Sequence, residues 1–245
     1  MVKVLYEDNH IIAVVKPAGI LSQADKSGDV SIYEIVKDYI RIKKGKPSLF
    51  EIGNAKPRTK TAVFGTGVFL GIVHRLDRPV SGIMLFAKTS KGASRLSEQF
   101  RNRRVEKTYH AIVSGKPKKD KGKLINVLGK DEKTLKARAF TDGKEARLYY
   151  EVITSNGEYS LMKIKIEGGQ FHQIRSQLSL AGFPILGDVK YLPAGRQVEG
   201  KWDNPRAIAL CATGLFFKAA TTEEIIALSI DIPKEWDKYL STGNT

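Results

Sequence analysis

Two runs of alternating apolar and polar residues, Ala146 to Ile153 and Tyr159 to Glu167, flank the dipeptide Asn156-Gly157. That dipeptide supplies the positive φ angles of a tight turn, and the period-two pattern gives each run one core-facing side. An antiparallel hairpin follows, and it sets the class of the chain. Other short runs rich in β-branched residues read as strands: His10 to Val15, closed by Lys16-Pro17-Ala18-Gly19, then Lys107 to Gly115, Ala207 to Cys211 and Ile225 to Ile230. Helical spacing is confined to a few stretches. Ser31-Ile32-Tyr33-Glu34 matches a capping box, with Ile32, Ile35, Val36, Tyr39 and Ile40 on one face. Ser90 opens a helix carrying Ala93, Leu96 and Phe100, with Arg95, Arg101, Arg103 and Arg104 on its other side. A third helix starts near His172 and stops at Gly182 and Pro184. Many strands with few helices, out of strict alternation, predict an α+β fold on a largely antiparallel sheet.

No internal repeat or low-complexity linker divides the 245 residues, so the whole of 1–245 is read as one domain. The chain carries 41 Lys+Arg against 26 Asp+Glu, a formal net charge of +15. An excess of this size suggests a polyanionic partner, nucleic acid before an anionic membrane. No apolar run is long enough to span a bilayer, and the N-terminus has no apolar leader core. Cys211 is the single cysteine, which excludes an internal disulfide and fits a reducing cytoplasm. Its apolar surroundings make it a small buried hydrophobe. The four histidines lack the spacing of a zinc site, so no metal is indicated. Residues 43 to 68 read as a long basic loop. Lys116 to Lys136, with eight lysines against three acids, reads as a phosphate-contacting flap or a solvated insertion.

The stretch Gly71 to Gly82 holds the most concentrated chemistry. Asp77 lies between Arg75 and Arg78, with His74 just upstream, on a charged turn between two apolar runs. Flanking positive charge favours an ionised carboxylate. A solvated ion-pair loop is the plainer alternative for this stretch taken alone.

Together the motifs resemble the RluA branch of the pseudouridine synthases. The blocks are Val15 to Gly19, His74-Arg75-Leu76-Asp77-Arg78 with Ser81-Gly82, Lys107 to Gly115, Gly143 to Ala146, and Gly169 to Arg175 with Gly182 to Asp188. They run in that family's order from about Ile11 to Trp236. The resemblance implies a pseudouridine synthase fold: a split, mainly antiparallel sheet flanked by helices, with a central basic cleft. It also implies isomerisation of chosen uridines in structured RNA, rRNA or tRNA, without cofactor or metal. Asp77 matches the catalytic aspartate, Tyr109 the tyrosine packed against uracil, and Arg175 the basic partner of that aspartate. Arg75 matches the arginine that fills the place of the extruded base. His74, Arg78, Gln173 and Ile174 complete the implied substrate-binding set. His74 and His172 are read as structural hydrogen-bonders outside the catalytic set.

The chain departs from the family pattern at Gln170-Phe171, where an arginine and a small residue are usual, and at Cys211, where histidine is common. A small RNA-binding module ahead of the catalytic domain is expected to be absent, and no obligatory protein partner is evident. Two other readings compete. One is a catalytically idle RNA-binding or ribosome-assembly factor on the same fold. The other is a nucleoside or glycoside hydrolase, which would need a second carboxylate beside Asp77.

Overall fold

The computed structural model describes residues 2–48, 50, 67–139, 143–192 and 202–241. Among them, eleven strands form one sheet in the order β1-β2-β4-β10-β5-β9-β8-β6-β7, with β3 beside β4 and β11 beside β10. The strands are β1 Lys3–Glu7, β2 Ile11–Lys16, β3 Gly71–Ile72, β4 Ser81–Ala87, β5 Glu106–Ser114, β6 Lys121–Asp131, β7 Lys136–Ala139, β8 Lys144–Ser155, β9 Tyr159–Glu167, β10 Leu210–Lys218 and β11 Ile225–Ser229. The helices are α1 Ile32–Lys43, α2 Ser90–Arg101, α3 Gln173–Leu180 and α4 Asp237–Leu240. The hairpin of β8 and β9 forms as expected, but its connection is three residues, Asn156 to Glu158, and of the dipeptide only Gly157 has a positive φ, +93°.

Every pairing is antiparallel except β4 with β10, which are parallel through only Ser81↔Cys211 and Gly82↔Ala212. This short seam is where the sheet divides. Gly82 makes it possible: its φ is +125°, and a Cβ there would lie 2.3 Å from the Ala212 carbonyl oxygen.

Strands β2 and β4 are covered on both faces. Ile11, Ala13, Ile83 and Leu85 pack with Leu96 of α2, while Ile12, Val14, Met84 and Phe86 pack with Ile32, Val36 and Ile40 of α1. The other half of the sheet packs Tyr109, Ile112, Met162 and Ile164 against Ile174 and Leu178 of α3.

Several local expectations are corrected. The first helix has the full Ser31/Glu34 capping box, but α2 is capped by Thr89, whose hydroxyl accepts from the Gly92 N–H. Arg103 and Arg104 fall beyond the end of α2, and Arg95 is spent on the Ala220 carbonyl at 2.9 Å. The lysine-rich segment is not a flexible loop along most of its length. It forms β6, paired to both β8 and β7. Gly122 within β6 leaves room for the Tyr150 ring, which a Cβ would approach to 2.5 Å. Most of the expected basic loop lies outside the described residues.

Candidate active site

The loop between β3 and β4 carries Asp77, and the turn after β2 holds it from below. Ser22 exchanges hydrogen bonds with Leu76, its hydroxyl donating to the carbonyl at 2.6 Å and accepting from the N–H at 3.1 Å. The Gly19 N–H donates to the Arg78 carbonyl at 2.8 Å. Lys16 is wholly buried, and its ammonium donates to the carbonyls of Pro17, Ile20 and Arg78 at 2.9, 2.7 and 3.2 Å. Burial pushes Lys16 down to about 7, against the attraction of Asp77. Three acceptors nonetheless match the three hydrogens of an ammonium, which a neutral amine could not supply, so we treat it as charged.

Arg78 lines the cleft but makes no ion pair with Asp77. Its Nε donates to the Gly19 carbonyl at 3.0 Å and its NH2 to Asp29 at 2.7 Å, so it pins the loop from outside. The cationic partner of Asp77 is Arg175, on α3. Arg175 NH1 donates to Asp77 Oδ2 at 3.1 Å, while Nε and NH2 grip both oxygens of Asp188 at 2.7 and 2.8 Å. Arg175 and Asp188 are buried, and the Asp77 side chain is 28% exposed to the cleft. Burial opposes the charge of Arg175, but the hydrogen bonds and charge of Asp188, then the charge of Asp77, hold its pKa above the ordinary arginine value.

Tyr109, on β5, brings a buried ring to the same cleft. Burial first, and the Asp77 charge second, push its phenol up, so it stays a neutral hydroxyl. No hydrogen bond to a described residue occupies that hydroxyl. Arg75 is exposed at the cleft and makes no hydrogen bond or ion pair with a described residue. It is free to meet a ligand.

The remaining expected contacts have other employment. His74 lines the cleft, but its Nε2 accepts from the Leu85 N–H at 2.9 Å and its ring stacks on Phe100 at 4.8 Å. Burial, then Lys107, pushes His74 down to about 3, which fixes it as a neutral acceptor. Gln173 is buried, accepting from the Gln170 N–H and donating to the Arg147 carbonyl, each at 3.0 Å. Ile174 belongs to the core beneath α3. Neither is among the residues that line the cleft.

The cleft itself has a volume of about 1280 Å³. It is lined by eight Arg and Lys side chains against Asp25 and Asp77. Lys107 is one of them, pushed down to about 8 by burial and then by Arg103. Phe100, Phe171 and Tyr109 add aromatic surface. Among the described residues, no group of three or more His, Cys, Asp or Glu could hold a metal. None of their helices is long and apolar enough to cross a membrane.

Sequence reasoning assigned no role to Lys16, Ser22, Asp188 or Tyr191 at this site, and it read His172 only as a structural hydrogen-bonder. For Lys16 and Asp188 a signal existed: a lysine ends an apolar strand before Pro17, and an aspartate follows Gly187.

The RNA pseudouridylate synthase family model matches residues 10–180. Ribosomal large subunit pseudouridine synthase D of Borreliella burgdorferi is 32% identical over 78% of this chain and 54% of its own length. tRNA pseudouridine synthase C of Yersinia pestis is 29% identical over 98% of this chain and 90% of its own. The chain spans about half the length of the first curated relatives it matches, and 39% of one, an uncharacterized RNA pseudouridine synthase of Chloroflexus aurantiacus. In structure it is similar to human RNA Pseudouridylate Synthase Domain Containing 4, with a TM-score of 0.70 at 22% identity, over 96% of this chain and 90% of that one. That likeness shows the fold: a mixed, mostly antiparallel sheet flanked by helices, with basic residues at its centre. With the family model covering most of the chain, the conclusion is direct. The chain belongs to the RNA pseudouridylate synthase family.

Proposed function

We propose that this protein isomerises specific uridines in structured RNA, rRNA or tRNA, to pseudouridine. The observation that carries the reading is a cleft carboxylate, Asp77, held by Arg175 in the cleft that the buried ring of Tyr109 also lines. The reaction is redox-neutral. The N1–C1′ bond breaks with its electron pair going to uracil, the base turns, C5 bonds to C1′, the C5 proton is lost to solvent, and N1 takes up a proton, so the product is an isomer of the substrate. Uracil delocalises negative charge over two carbonyls, so its departure does not demand the second carboxylate that hydrolytic glycosidases use. Asp188 cannot serve as that second group, since both its oxygens are bound by Arg175. This speaks against the hydrolase reading.

Asp77 attacks C1′ or takes a proton from C2′, and either role needs it ionised beside Arg175. Tyr109 stacks on the base and offers it a hydroxyl. Arg75 fills the stack that the extruded uridine leaves, and the basic cleft walls draw in the phosphates. An idle RNA-binding factor would have no need of the carboxylate, its guanidinium and the tyrosine in one cleft. The relatives' names point to rRNA for one and tRNA for another, and we keep both as candidate substrates. The test is to map pseudouridine across cellular RNA with and without this protein. Sites that vanish on deletion and return with the intact chain support the reading; an unchanged map rejects it.

A further inference from the structure

Asp77 is approached from one side only. Arg175 NH1 lies 3.1 Å from its Oδ2, and His172 Nε2 lies 3.5 Å from the same oxygen. Among the described residues, no hydrogen bond reaches Oδ1. The two oxygens of this carboxylate are therefore unequal before any substrate arrives.

His172 is set in place by an unusual amount of structure. It caps the N-terminus of α3 with φ at +50°, a left-handed conformation that a non-glycine residue rarely adopts. Its ring is stacked on Phe171 at 3.8 Å and met edge-on by Tyr191 at 5.5 Å. Its Nδ1 lies 2.8 Å from the Tyr191 hydroxyl oxygen, and that oxygen accepts the Ala137 N–H at 2.6 Å. Tyr191 is itself tied down. Its ring lies under the Arg175 guanidinium at 5.0 Å, and the Ser179 hydroxyl donates to its carbonyl. One tyrosine thus touches both neighbours of Asp77 Oδ2.

Proton counting then fixes the tautomer. Burial, then Arg175 and Lys190, push His172 down to about 3, so the ring is neutral and holds one N–H. A carboxylate only accepts, so the nitrogen facing Asp77 is best satisfied carrying that hydrogen. Nδ1 is then bare and accepts from the Tyr191 O–H, whose oxygen is already taking the Ala137 N–H. The donors then all run in one direction: Ala137 N–H to Tyr191, Tyr191 O–H to His172, and His172 N–H pointing toward Asp77 at 3.5 Å. The opposite tautomer sets two lone pairs face to face at Asp77.

Resting on the functional reading above, we infer that His172 and Tyr191 are positioning residues that engage Asp77 Oδ2 and leave Oδ1 as the oxygen that meets the ribose. The 3.5 Å contact is longer than a hydrogen bond in the free protein and shortens when RNA closes the cleft, as catalytic contacts commonly do. The arm that carries Ala137 thereby joins the site: β7, an edge strand far along the sheet, sets the hydrogen bonding of a carboxylate on the β3–β4 loop.

Two surrogate side chains separate positioning from simple anchoring. Glutamine at 172 sets an amide N–H near the place of the imidazole Nε2, and asparagine sets one near the place of Nδ1. His172→Gln is expected to keep the single-turnover rate within about threefold on unmodified rRNA and tRNA transcripts carrying tritium at uridine C5. His172→Asn is expected to lose about tenfold to a hundredfold in rate, the range for a hydrogen bond to a charged group, with RNA affinity unchanged. Asparagine tolerates the left-handed backbone better than glutamine, so strain alone would favour the opposite order. Equal rates in the two variants, or Asn outperforming Gln, would overturn the inference. The ¹⁵N spectrum of His172 in the free wild-type protein is the second arm. A protonated Nε2 with a bare Nδ1 is expected, and it should persist in Tyr191→Phe because Asp77 still faces Nε2; protonated Nδ1 in the wild type overturns the inference. A wild type that makes no pseudouridine in any transcript would reject the functional reading instead, and the ring tautomer would still decide the positioning question.

Discussion

Arg175 grips Asp188 with two nitrogens, at 2.7 and 2.8 Å, and gives its third to Asp77 at 3.1 Å. The bidentate pair is buried, and the single contact opens on the cleft. Asp188 therefore aims the guanidinium, and the guanidinium aims the carboxylate of Asp77. Removing charge from Asp188 leaves a buried guanidinium short of its counter-ion. Asp188→Asn should cost about 3–5 kcal/mol of stability, the usual penalty for breaking a buried pair. Urea unfolding checks it. A loss under 1 kcal/mol would mean that solvent or another acid compensates.

Arg75 differs from its neighbours in having no described partner to lose. Arg75→Ala should leave the urea midpoint within experimental error while slowing turnover on a uridine held in a stem. A target that is already unstacked should suffer less, because less extrusion needs offsetting. Equal losses on stacked and unstacked targets would assign Arg75 another task.

The hydroxyl of Tyr109 can be tested apart from its ring. Tyr109→Phe should bind RNA as the wild type does and lose about 10²-fold in single-turnover rate, a common scale for a positioned proton-transfer group. Because the phenol is held neutral, the rate should show no limb tracking tyrosine ionisation. An unaltered rate in the Phe variant would reduce Tyr109 to a stacking surface.

His74 gives the fold a defined acid sensitivity. It is neutral in the folded state down to about 3 and takes up a proton near 6.5 once unfolded. Between those values the unfolded chain binds more protons, so stability is present above about 6.5 and is lost as the pH falls toward 3. One such proton contributes ~1.4 kcal/mol per pH unit. His74→Phe, which keeps the stack on Phe100, should flatten the slope of stability against pH in that window by about one proton. An unchanged slope would show that His74 is protonated in the fold.

Much of the site was legible because its chemistry sits in short runs. Asp77, Tyr109 and Arg175 each lie in a motif, and the fold brings them together across a separation of 98 residues between the first and last. What could not be read was direction. Arg78 adjoins Asp77 in sequence, yet its hydrogen bonds go to Gly19 and Asp29, while the ion pair to Asp77 comes from Arg175 on α3, a partner that only the family resemblance named. Lys16 with Arg78, Ser22 with Leu76 and Ala137 with Tyr191 are contacts 54 to 62 residues apart, with no local pattern to announce them. The lysines of β6 misled for a different reason. Net charge drew attention there, while Leu124 and Leu128, alternating with exposed Lys123, Ile125 and Val127, carried the strand signal.

One carboxylate, Asp77, decides whether the proposed isomerisation takes place in this cleft. Asp77→Asn keeps size and shape and removes the negative charge, so it should bind RNA normally and form no detectable pseudouridine in a single-turnover tritium-release assay. If the Asn variant made pseudouridine at a rate near that of the wild type, the assignment of Asp77 as the reactive group would be contradicted.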